Sequence, residues 1–382
     1  VGRFRTRGHP GALAFVQRAI EFERPPHALL LVGPDRVGKT TLALELAAGL
    51  LCLDDDPSAR PCTECAACRK VAHGNHPDLH RLEPEGAGQQ IRVSQVHALV
   101  SELALLPLEG RFRVAVIEHA HRLNPDAQNG LLKTLEEPPA AVCLILAADD
   151  SSALLPTVVS RCARVRLSPV AAETIAELID ETGLADRVRG AALARLATGR
   201  PGLALALARR PEAVLAQARL ARTLLDLVTA DRRRRLSVQS GLLEDGVTLA
   251  AAAAGTADDA EAMDAAGAKP ARQRRAASTA GEGTGARRPS PAERRAAVSE
   301  IIAVWRDVAR DLAVAARGGR RELHQHELLD DLIRIGATVD PDSVARFLAR
   351  LDGAGRALDL YANPELCLDA LLLEWPRPRL AA

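Results

Sequence analysis

The sequence predicts an α/β chain: a parallel-sheet domain with a phosphate loop, a small helical lid, and an all-α second half. Three observations carry this reading. Apolar, strand-like runs alternate with helical stretches over residues 1–168, and a glycine-rich loop joins the first run to a helix. From Pro169 onward, the apolar spacing is that of helices alone.

The candidate strands are Ala28–Val32, Asp78–Leu82, Arg113–Ile117, Val142–Ala147 and Ala163–Leu167. Ala28–Val32, Arg113–Ile117 and Val142–Ala147 are the near-continuous apolar runs that a sheet covered on both faces demands, while the other two carry charged residues. Between them lie helices such as Ser94–Leu105, which opens on a serine cap, and Pro125–Leu135. The lid, residues 169–210, reads as three short helices: Ala171–Glu181, Ala191–Ala197 and Pro201–Ala208 behind Gly199. Residues 211–382 continue as helices. The first region runs from Pro211 to about Leu243, and order resumes near Ala292 with Ile301, Trp305, Val308 and Leu312 on one face. Pro341–Asp359 and Pro364–Trp375 follow. The stretch 246–291 is rich in Ala, Gly, Ser, Thr and Pro and poor in large apolar residues. It reads as a disordered insertion, acidic at Asp258, Asp259 and Glu261, then basic at Arg272, Arg274, Arg275, Arg287 and Arg288.

The loop Gly33-Pro34-Asp35-Arg36-Val37-Gly38-Lys39-Thr40 follows Ala28–Val32 and precedes Thr41-Leu42-Ala43-Leu44. This is the phosphate-loop pattern in its required strand-then-helix setting. Gly33 and Gly38 let backbone N–H groups close around phosphates, Lys39 supplies a point charge, and the Thr40 hydroxyl can hold Mg²⁺ beside Thr41. A second strand ending in a carboxylate is expected for the metal. Arg113-Val114-Ala115-Val116-Ile117-Glu118 supplies Glu118, but His119 stands where a water-activating glutamate is expected. The residues therefore predict binding of ATP with Mg²⁺, and weak or absent hydrolysis.

Four of the seven cysteines cluster at Cys52, Cys62, Cys65 and Cys68. Four thiolates can close a tetrahedral Zn²⁺ site, with bonds of about 2.3 Å, and an all-sulfur set implies a structural role. His73 and His76 are spare ligands nearby. Free thiols, a redox C-x-x-C pair and an iron–sulfur cluster are the competing readings. His324 and His326 read as surface residues rather than ligands.

Fifty basic and forty-nine acidic residues nearly cancel, which argues against a chain that binds DNA through a global field. Val1–Arg7 is basic, but no apolar run long enough for a signal peptide follows it, and nothing approaches the ~20 apolar residues of a membrane span. The expectation is a cytoplasmic protein without a membrane partner, its cysteines kept for metal rather than disulfides.

Asn129-Gly130-Leu131-Leu132-Lys133-Thr134-Leu135-Glu136-Glu137-Pro138-Pro139, then Ser160-Arg161-Cys162, together with the four-cysteine insert, resembles the AAA+ clamp-loader subunits of bacterial DNA polymerase III. The resemblance covers residues 9 to about 210. More weakly, the tail from Ala362 to Leu366 resembles the end of a delta-prime collar domain. The family divides into gamma/tau motors, which hydrolyse ATP, and delta-prime subunits, which do not. His119, and Gly202 where a motor places a nucleotide-sensing arginine, both fit delta-prime. The resemblance implies that Arg161 is an arginine finger reaching the ATP of an adjacent gamma/tau subunit. It also implies delta as a partner and a role in loading the sliding clamp onto primed DNA. An active gamma/tau-type motor, and a stand-alone zinc-containing DNA-binding protein, are the alternatives.

Overall fold

The computed structural model describes residues 2–84, 90–264, 289–319, 323 and 328–378. They form two compact units, one ending at Pro211 and the other beginning at Glu212.

The first unit is built on strands β1 (Ala28–Val32), β2 (Leu79–Leu82), β3 (Arg113–Ile117), β4 (Val142–Ala148) and β5 (Ala163–Arg166). They form one sheet in the order β2-β3-β4-β1-β5, and every pairing is parallel. All of β3 and β4 is buried, as the unbroken runs RVAVI and VCLILAA require. The edge strand β5 alternates between half-buried and exposed. β1 lies between β4 and β5: the chain leaves it for the far edge at β2, returns through β3 and β4, and then passes it to reach β5. The carboxyl end of β1 is the switch point at which open α/β sheets bind ligands.

Helices α1 (Pro10–Glu21), α2 (Lys39–Leu51), α3 (Ala66–Ala72), α4 (Val93–Leu103), α5 (Pro125–Glu136) and α6 (Pro156–Val159) accompany the sheet. One face of the core joins Leu30, Ile117, Leu144 and Leu146 to Leu99 of α4 and Leu131 of α5. Helix α4 differs from expectation at both ends. It begins at Val93, because the Gln95 side chain accepts from the Arg92 N–H at 2.8 Å, so Ser94 lies inside the helix rather than at its cap. It stops at Leu103, and Pro107 holds Leu106 away from helical geometry. Helix α5 opens on Asn124, whose side chain accepts from the Ala127 N–H at 2.7 Å.

The lid helices α7 (Ala172–Thr182), α8 (Arg187–Leu196) and α9 (Pro201–Arg209) complete this unit. Helix α8 begins four residues before the expected Ala191, since Asp186 caps the Arg189 N–H at 2.8 Å. The Gly202 N–H of α9 donates to Arg36 O at 3.0 Å, which fastens the lid to the phosphate loop.

The second unit is helical: α10 (Pro211–Asp226), α11 (Arg232–Ser237), α12 (Gln239–Asp264), α13 (Pro291–Ala316), α14 (Leu329–Gly336), α15 (Pro341–Asp359) and α16 (Pro364–Glu374). Helix α12 corrects the sequence reading, which placed a disordered insertion from Gly246. Alanine is the strongest helix former, and Leu249 and Ala252 are buried. Gly246 lets α12 approach α13 closely: a Cβ there would stand 2.8 Å from Ala297 O. Residues 265–288 of the insertion, with Arg272, Arg274, Arg275, Arg287 and Arg288, lie outside the described residues, as do His324 and His326. Among the described residues, no helix is long and apolar enough to cross a membrane.

Candidate nucleotide site and cysteine cluster

The phosphate loop follows β1 and ends at Gly38, whose φ of +108° is the left-handed conformation that favours glycine. Gly38 has no side chain with which to cap α2, so the first N–H groups of that helix are left for an anion. Gly33 is needed for a different reason, because a Cβ there would lie 2.3 Å from Leu167 O, just beyond β5. Lys39 is buried, and its Nζ donates to Gly33 O at 2.8 Å and Pro34 O at 2.7 Å. The same Nζ lies 2.7 Å from Asp149 Oδ1, one residue past β4.

Glu118 follows β3 directly and is buried. Its Oε2 accepts from Thr40 Oγ1 at 3.1 Å, so the sheet brings together the loop hydroxyl and the carboxylate that the sequence singled out. Its Oε1 accepts from Arg81 Nε at 3.0 Å and Nη2 at 2.8 Å. Arg81 Nη2 also meets Glu83 at 2.7 Å. Burial, with the Glu118 charge beside it, raises the Glu83 carboxyl above its ordinary range. Thr41 stands in the first turn of α2, half-buried.

His119 sits at φ +50°, its ring edge-on to that of His121 with centroids 5.7 Å apart. His119, His121 and Asp149 offer three potential metal-ligand atoms within 4.8 Å of one another. Hydrogen bonding argues against a metal there. The Asp149 N–H donates to His121 Nδ1 at 3.2 Å, so in the neutral ring the proton is on Nε2, the atom 3.7 Å from Asp149 Oδ2. That nitrogen faces the carboxylate as a donor rather than as a ligand. Desolvation would raise the Asp149 carboxyl, but Lys39 and His121 outweigh it and hold the group below its usual range.

The four cysteines converge. Sγ separations are 3.5 Å for Cys52–Cys62, 3.9 Å for Cys52–Cys65 and 4.0 Å for Cys62–Cys68. A tetrahedral ion with bonds of about 2.3 Å sets its sulfurs about 3.8 Å apart, so the cluster could hold a metal ion. The Cys65 N–H donates to Cys62 Sγ, and the Cys68 N–H to Cys65 Sγ, each at 3.4 Å. Despite partial burial, such bonds help bring the Cys65 thiol down to about 7. Desolvation and the neighbouring Cys52 push the Cys68 thiol up. The spare ligands lie elsewhere: His73 Nδ1 is 2.6 Å from Arg69 O, and His76 Nδ1 accepts from the Asp78 N–H at 3.1 Å.

Arg161 follows α6 by two residues and is half-buried. Its Nη1 donates to Thr157 O at 2.8 Å, and its Nη2 pairs with Glu136, at the end of α5, at 2.7 Å. The two motifs that carried the resemblance thus meet in space.

A protein family described as DNA polymerase III, delta subunit, matches residues 8–171. The Bacillus subtilis DNA polymerase III subunit delta-prime is 34% identical over 172 residues, covering 45% of this chain and 51% of its own. The Pseudomonas aeruginosa delta-prime subunit is 46% identical over 136 residues, 36% of this chain and 41% of its own. The Salmonella typhimurium subunit tau is 36% identical over 168 residues, 44% of this chain and 26% of its own. The chain therefore spans about half, or less, of the length of these relatives. The sheet, lid and phosphate loop follow the α/β plan that the sequence predicted. In this domain, sequence reasoning missed Asp149 and Arg81. A carboxylate just past β4, in Ala148-Asp149-Asp150, was the available signal for the first; nothing local marked the second.

Proposed function

We propose that this chain works as a delta-prime-type subunit of a DNA polymerase III clamp loader, helping to place the sliding clamp on primed DNA. In this role it turns ATP over weakly or not at all, and lends Arg161 to the ATP of a neighbouring gamma/tau subunit. The observation that carries the reading is His119, which follows the metal-side Glu118 where hydrolysis needs a carboxylate. The match of residues 8–171 supports it, and delta and the motor subunits are the partners it implies. Gly202 supports it too. Its backbone is engaged with Arg36, and a Cβ would stand 3.1 Å from Arg36 Cβ, leaving little room for a sensing side chain.

Zn²⁺ is the ion we assign to Cys52, Cys62, Cys65 and Cys68. An all-thiolate set closed near tetrahedral spacing leaves no open position, so the metal would brace the insert rather than catalyse.

The deciding experiment measures ATP turnover by the lone chain, then by gamma/tau and delta with and without it. The reading expects negligible turnover alone, and stimulation by the wild-type chain that Arg161→Ala lowers by at least about tenfold. Vigorous, Lys39-dependent turnover by the lone chain would instead make it a motor.

A further inference from the structure

Each charge in the phosphate site already has a partner within the chain. Lys39, the group meant for a phosphate, has Asp149 Oδ1 at 2.7 Å, and Asp149 turns its other oxygen toward His121. Glu118, the group meant for a metal, has the Arg81 guanidinium at 3.0 and 2.8 Å. Lys39 and Glu118 are both buried, so water screens neither pair strongly.

We infer that Asp149 and Arg81 are resident counter-ions that set the ligand class of this site: nucleoside triphosphate, bound weakly and without a requirement for magnesium. The inference rests on the reading of the loop as a triphosphate cradle. Asp149 occupies the place of a phosphate oxygen. An incoming triphosphate must displace it from Lys39 and then lie beside a half-buried carboxylate of its own sign, a repulsion that costs affinity. Arg81 occupies the place of the cation. Magnesium demands a near-octahedral oxygen shell and keeps several waters. It would have to approach a carboxylate whose Oε1 already takes two guanidinium donors and whose Oε2 takes the Thr40 hydroxyl, with the Arg81 guanidinium held in place by Glu83 at 2.7 Å. The uncapped N–H groups of α2 are unaffected by either pair, which is why binding is weakened rather than abolished.

The test is titration of the full chain with a fluorescent ATP analogue, with magnesium and in magnesium-free buffer. The wild-type affinity should differ between the two by less than about twofold. Asp149→Asn keeps the shape and removes the charge, and should tighten binding by about tenfold in both buffers. Arg81→Gln frees Glu118, and magnesium should then improve affinity at least about fivefold. Wild-type binding that collapses without magnesium overturns the inference, as does an Asp149→Asn chain that binds no more tightly. An Arg81→Gln chain indifferent to magnesium overturns it as well. If no version binds the analogue, the inference falls together with the cradle. The Arg161 experiment stands apart, because it reads ATP held by the motor subunit.

Discussion

Asp78 offers a sharp test of how this domain holds its site. The residue is fully buried just before β2, and its carboxylate closes the loop that leads into β3 and so to Glu118. Oδ1 accepts from the Leu108 N–H at 2.6 Å, while Oδ2 accepts from the Glu109 and Gly110 N–H groups, each at 2.8 Å. Asp78→Asn keeps the volume but replaces one acceptor oxygen with an NH₂ donor. Whichever way the amide turns, at least one loop N–H faces a donor and is left buried without a partner. Each such group costs about 1–3 kcal/mol, and the loss of charge-assisted bonding adds to it, so about 3 kcal/mol is expected. For a unit of this size, that lowers the midpoint of thermal unfolding by about 6–12 °C. The pH dependence has a definite sign. Desolvation alone would raise the Asp78 carboxyl, but the three backbone donors outweigh it and hold the group below its ordinary range. Its contribution is therefore complete above the unfolded value of about 3.9, and is lost as pH falls through the lower folded value. Calorimetry from pH 8 down to pH 3 should show a constant gap between wild type and Asp78→Asn that narrows only at the acid end. A variant within about 1 °C of wild type at pH 7 would refute the assignment of those three bonds.

Other expectations concern separate parts of the molecule. Gly33→Ala should destabilise the first unit by at least about 2 kcal/mol in urea unfolding, since its Cβ meets the Leu167 carbonyl 2.3 Å away and backbone must shift. Elemental analysis should find about one zinc ion per chain, and Cys62→Ser should release it at lower chelator concentrations. Arg235 is fully buried and donates to the carbonyls of Val228, Ala230, Leu372, Trp375 and Pro376, tying α11 to the end of α16. Arg235→Met should cost the second unit about 2–4 kcal/mol in chemical unfolding, and Arg235→Lys should not restore it, because one ammonium cannot span the fork.

Much of this architecture is local, and local pattern is what a sequence exposes. The bounds of β1 and β3 coincide with their apolar runs because both strands are buried on two faces. The cysteine cluster spans only seventeen positions, so spacing alone announced it. Helix caps were less legible. Ser94 looked like a cap, but Gln95, by binding back to Arg92, moved the start one residue earlier. Helix α12 was hidden for a related reason: its alanines and glycine look like a linker until α13 lies against them.

The sequence by itself determined the parallel α/β plan, the phosphate loop, the missing glutamate at His119 and the thiolate cluster, because each is written within a few neighbouring residues. Only the tertiary structure decided what faces Lys39 and Glu118. Asp149 lies 110 positions beyond Lys39, and Arg81 lies 37 before Glu118, on different strands. The parallel sheet lines up the carboxyl ends of β1, β2, β3 and β4, and that alignment turns distant charges into ion pairs.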